Sequence, residues 1–133
     1  MSKWRVAGDA VAAFKTFEDI EAWQRARTLA GEIYALTQAG TFAHDFGLRD
    51  QINRASVSVM SNIAEGFERD SRREFARFLA IAKGSVGEVR AQLHLALDCG
   101  HVTDAEFTPL RRDAERISRM LASLIAHLRR TTA

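Results

Sequence analysis

Arginine is the residue best suited to chemistry in this chain of 133 residues. Of its 19 basic residues, sixteen are Arg and three are Lys (Lys3, Lys15 and Lys83). A guanidinium offers a planar fork of donors that matches phosphate and carboxylate, and it tolerates partial desolvation better than an ammonium does. In the last segment Arg116, Arg119, Ser123, His127 and Arg130 all lie within about 60° of Arg112 at helical periodicity, opposite a Leu/Ile stripe. Arg69, Arg72, Arg73 and Arg77 form a second basic cluster. Both are candidate contacts to a nucleic-acid backbone, which would weaken steeply with salt. The plain alternative is a solvated face, partly neutralised by Asp70, Glu74, Asp113 and Glu115, in a chain whose Arg content reflects GC-rich codons. Net charge is only +2, so any attraction for a polyanion must come from clustering. The eight Phe fall mostly on core faces or caps, which leaves no stacking platform for reading bases.

Two further stripes stand out. Gln51, Ser58, Asn62 and Glu65 share a narrow sector, with Arg54 at its edge. Short amide and hydroxyl groups are unusual on a solvated face, so the expectation is a hydrogen-bonded network between helices or subunits, joined by Glu88. A ligand contact and simple exposure are the other readings. Ala80, Gly84, Gly87 and Ala91 recur at spacings of four, three and four. Each helical Gly costs about 1 kcal/mol relative to Ala, which close packing against another helix would offset. That partner is either intramolecular or a second subunit.

Enzyme chemistry finds little support. No Glu has a His three positions later, as a di-iron bundle requires. There is no phosphate-binding Gly loop and no nucleophile elbow. His44, His94, His101 and His127 are scattered, and Asp98-Cys99-Gly100-His101 reads as a helix end. The single Cys99 excludes disulfide frameworks and reads as a small buried side chain. No catalytic residue, metal or cofactor is expected. No segment has the ~20 apolar residues of a membrane span, and the N-terminus lacks a signal-peptide core. A cytoplasmic protein is the default.

Four helices must position these groups. The first opens at Thr16-Phe17-Glu18-Asp19 and ends at Gly40, with Trp23, Ala26, Ala30, Ile33 and Thr37 inward. The second runs from about Asp45 to Phe67 on Leu48, Ile52, Ala55, Val59 and Ile63. The third begins with a Ser71-x-x-Glu74 capping box and carries Phe75, Phe78, Ala82, Val86, Val89, Leu93 and Ala96 to a Gly100 cap. The fourth opens with a Thr103-x-x-Glu106 box and buries Leu110, Ala114, Ile117, Leu121, Leu124 and Leu128. Pro109 fits best as the first residue of a helix recapped by Thr108. Short connections between helices this long predict an all-α, up-down-up-down antiparallel four-helix bundle over 16–130, preceded by a partly flexible extension over 1–15.

Phe46-Gly47-Leu48-Arg49-Asp50-Gln51-Ile52-Asn53-Arg54-Ala55-Ser56-Val57-Ser58, then Asn62-Ile63-Ala64-Glu65-Gly66-Phe67, carry a resemblance. Phe75-Ala76-Arg77-Phe78-Leu79 and Ala82-Lys83-Gly84-Ser85-Val86-Gly87-Glu88 continue it, with Phe17, Trp23 and Ile33-Tyr34 ahead. Over about 16–130 the chain resembles the bacterial four-helix-bundle proteins named for 23S rRNA intervening sequences. The resemblance implies a homo-oligomeric ring, often a pentamer, and a role with RNA. Accessory proteins of diversity-generating retroelements are similar and bind nucleic acid through basic surfaces. Met60 and Ala43 stand where such proteins often have Pro, which predicts a straighter second helix and a more mobile first loop. The combined expectation is a non-enzymatic homo-oligomer that binds rRNA or other nucleic acid. A ring-shaped scaffold for a protein client is the alternative.

Overall fold

The computed structural model describes residues 10–131. Helices α1 (Glu21–Thr37), α2 (Phe46–Glu68), α3 (Arg72–Asp98) and α4 (Asp104–Arg130) form the bundle, and short 3-10 turns sit at Ala10–Ala13, Phe17–Asp19 and Gly40–His44. There is no strand among the described residues. Each helix packs on the next in sequence and α4 returns to α1, closing an antiparallel four-helix bundle. The expected core positions of α1, α2 and α3 are all buried. In α4 the stripe turns slightly near its end, where Ile125 is buried and Leu124 only half-buried. Of the proposed extension, residues 1–9 lie outside the described part. Val11 is fully buried in the core, so packing begins before Thr16.

The helix ends follow from local chemistry, with three departures from expectation. Thr16 introduces the turn Phe17–Asp19, not α1 itself. The Asp19 carboxylate accepts from the backbone N–H of Lys15 and Thr16 at 2.7 and 3.1 Å, which holds its pKa below the usual value. At α3 the box is half made: the Ser71 hydroxyl accepts from the Glu74 N–H, but the Glu74 carboxylate turns to Arg77 at 3.0 Å. Pro109 lies inside α4, because Thr103 and Glu106 complete both arms of their box and start the helix earlier. Its missing N–H deprives the Ala105 carbonyl of a partner; both residues are exposed, so water can serve that oxygen. Gly100, at φ 74°, terminates α3 as expected, and His101 N–H donates back to the Ala96 carbonyl at 2.9 Å.

Among the described residues the buried polar side chains are Thr37, Ser56 and Ser85, and each is hydrogen-bonded. Thr37 Oγ1 donates to the Tyr34 carbonyl and accepts from Asn53 Nδ2, both at 2.8 Å, pinning α1 to α2.

A cluster unforeseen in the sequence fastens the loop end of the bundle. His101 stacks on Phe42 with ring centroids 5.0 Å apart. Its Nε2 lies 2.9 Å from Asp45 Oδ2, and its Nδ1 lies 2.8 Å from Thr41 Oγ1. Asp45 also caps α2 by accepting from the Leu48 N–H. The His101 hydrogen bond, then the Leu48 N–H, hold the Asp45 pKa below its ordinary 3.8. A depressed carboxylate pKa stabilises the fold fully above 3.8 and loses that contribution as pH falls through the lower, folded value. Thermal melts at falling pH are therefore expected to converge for the parent and Asp45→Asn below that point, with the parent more stable above it. Parallel curves across the whole range would show that this carboxylate carries no folding linkage.

Candidate nucleic-acid interface

Helix α4 is built to present a ridge. Its buried Leu, Ile and Ala face α1 and α3, so Arg112, Arg116, Arg119 and Arg130 are left on the outer side, all exposed. Arg112, Arg119 and Arg130 form no salt bridge among the described residues. Arg116 reaches Glu21 only at 4.0 Å. The carboxylates expected to neutralise the ridge are engaged or turned elsewhere: Glu115 takes Arg111 at 3.0 Å and Arg90 at 3.6 Å. Asp113 lies beside Glu32, whose pKa is raised by burial and by that like charge.

The second cluster divides. Arg69 pairs with Glu65 and Arg77 with Glu74, each at 3.0 Å, and both guanidiniums sit 4.8 Å from the Phe78 ring centroid. Arg72 is half-buried, and two of its nitrogens donate to Thr131 Oγ1 at 2.9 and 2.6 Å. It ties the start of α3 to the end of α4. Arg73 remains exposed and without a salt bridge among the described residues. Arg129 was missed in the sequence because it falls outside the ridge sector. It lines the α3/α4 groove with Lys83 and, further along, with Arg73 and Arg77.

The polar stripe of α2 is partly a network. Ser58 and Ser85 hydroxyls lie 2.9 Å apart across α2 and α3, and Asn62 Nδ2 donates to the Ser58 hydroxyl and carbonyl at 3.0 and 2.9 Å. Gln51, Arg54, Glu65 and Glu88 are exposed and do not join that node. Gln51, Arg54 and Glu88 instead rim a cleft of about 360 Å³ above it, together with Gln92. Glu65 is drawn away by Arg69.

The small stripe is not a close contact within the chain. Ala80, Gly84, Gly87 and Ala91 are all exposed, and a Cβ placed on Gly84 or Gly87 meets no atom within 4 Å. The close approach occurs at Gly66, where a Cβ would lie 2.6 Å from Phe78 Cβ. Cys99 is exposed rather than buried, because α3 has already ended at Asp98. No group of three or more metal-ligating side chains gathers among the described residues. Among the described residues no helix is long and apolar enough to cross a membrane.

Fold and surface together define an antiparallel four-helix bundle with a basic outer ridge. The family model for the 23S rRNA-intervening sequence protein matches residues 18–123, and the chain belongs to that family. A solved structure with the same fold is a protein of unknown function from the S23 ribosomal protein family of Bacteroides thetaiotaomicron. It is 24% identical with a TM-score of 0.72, over 78% of this chain and 97% of that one. No curated protein matches the chain. Neither the family description nor the neighbour's names an enzyme.

Proposed function

We propose that the protein is a non-enzymatic homo-oligomer that binds RNA, or another nucleic acid, through its phosphates. The observation that carries this reading is the α4 ridge, where Arg112, Arg119 and Arg130 are exposed with no salt bridge among the described residues. An arginine left open to water keeps its charge and all its donors for an incoming phosphate, whereas one already paired must first give up its partner. Arg116, with Glu21 4.0 Å away, and Arg73 add to the same field. Self-association fits the apolar groups left outside: Val57, Ile81 and Leu95 are 51%, 43% and 50% exposed. Repetition of the ridge around a ring such as a pentamer would multiply phosphate contacts.

The reading is tested by titrating a labelled RNA duplex with the protein at increasing salt. A phosphate-bound complex is expected to lose affinity linearly in log–log form, with a slope of about −0.9 for each phosphate engaged. A flat line, or no binding at low salt, would sink the proposal. It would leave the bundle as a scaffold for a protein client.

A further inference from the structure

We infer that the trough between α3 and α4 seats a single strand of nucleic acid, held by phosphates along its rims. The inference rests on the nucleic-acid reading above and gives it a second, separate contact. Two adjoining cavities of about 450 and 750 Å³ share Ala80 and Arg129 in their linings and together make up the trough. Its lining is mostly small: Ala80 and Gly84 on α3, Ala122 and Ala126 on α4, with the buried Ile125 beneath them. Lys83 and Arg129 stand over this half, and Arg73 and Arg77 over the other. Glu74 also lines the trough and holds Arg77 at 3.0 Å, so the rim cations without a salt bridge among the described residues are Arg73, Lys83 and Arg129. From Arg73 to Gly84 the depression extends about 16 Å along the α3 axis.

Shape and charge select the occupant. Packed helices are centred about 8–10 Å apart, so the furrow between them admits one sugar-phosphate strand and excludes a duplex. The small lining lets the strand approach closely while cations on both walls meet its phosphates. A helical Gly is less favourable than Ala, and at Gly84, where a Cβ would touch nothing, the missing side chain keeps the furrow open. The α4 ridge continues the positive field around the outer side of the same helix. An acidic peptide would meet the same rims, and the experiment separates the two.

The probe is fluorescein-labelled polyuridylate, followed by anisotropy, with the labelled RNA duplex in parallel. Gly84→Leu and Ala126→Leu each fill the trough from one wall without altering charge, at exposed positions the bundle core does not use. Each is expected to weaken polyuridylate binding by at least ~5-fold, while duplex binding and helical circular dichroism stay at the parent's values. Arg129→Ala is expected to reduce the salt slope for polyuridylate by about 0.7. If both filled variants bind polyuridylate like the parent, or if filling changes particle mass in light scattering, the trough is not a strand seat and the inference is overturned. Loss of a labelled polyglutamate with polyuridylate retained would overturn it in favour of a peptide. Failure of the parent to bind either RNA would instead sink the broader reading.

Discussion

Gly66→Ala is expected to destabilise the bundle by about 2 kcal/mol, lowering Tm by roughly 5–10 °C. The new Cβ would lie 2.6 Å from Phe78 Cβ, 3.2 Å from Phe75 Cδ1 and 3.3 Å from the Phe75 carbonyl. Two of those three atoms are rooted in the α3 backbone, so no rotamer change clears them. Phe75 is fully buried and meets Phe67 edge-on with ring centroids 5.9 Å apart, which blocks retreat of its ring. The two helices must therefore separate where they turn back on each other. Better helix propensity returns at most ~1 kcal/mol of the loss. Gly84→Ala is the internal control: its Cβ meets nothing, so stability there is expected to hold or rise. Differential scanning calorimetry on the pair checks both signs. An unchanged Tm for Gly66→Ala would show that α3 shifts freely against α2.

That contrast shows where sequence reasoning reached and where it stopped. A helical glycine announces a missing side chain, and periodicity says which face it occupies. Neither reveals how near the facing helix comes. Gly84 and Gly87 looked like contact points because they recur with Ala80 and Ala91. Gly66 stands alone near the end of α2, with no recurring small residue beside it to mark a contact. The hairpin reverses this, since only three residues separate α2 from α3 and the two helices are pressed together beside that turn.

The architecture itself was legible because four stripes of apolar residues at spacings of three and four have one economical way to leave water. Pro109 was misplaced because the Thr103–Glu106 box lies earlier and outcompetes a start at Thr108. The site was legible in part. The α4 ridge follows from a single helix, and one-helix geometry can be read from spacing. Arg72, Arg129 and the Thr41–His101–Asp45 cluster depend on contacts across 56 to 60 residues or on a groove shared by two helices. No local pattern marks them. Cys99 failed for a similar reason: burial at a helix end is decided by where the next segment passes.

Arg112→Ala, Arg116→Ala and Arg119→Ala together are expected to reduce the duplex-RNA salt slope by about 2.7, three contacts at about 0.9 each. Between 50 and 200 mM salt that removes about 1.6 decades of salt-dependent affinity change, far beyond the error of a titration. The substitutions leave folding nearly untouched, because all three side chains are exposed and, among the described residues, their one ion pair is the 4.0 Å approach of Arg116 to Glu21; surface pairs contribute little. Replacing the same three by Lys separates field from geometry. If a positive field suffices, Lys retains the slope and most of the affinity. If the fork matters, Lys retains the slope and loses affinity, since an ammonium binds phosphate as a point charge. A triple Ala variant with the parent's slope would place the phosphate contacts away from α4 and reduce the ridge to a solvated surface.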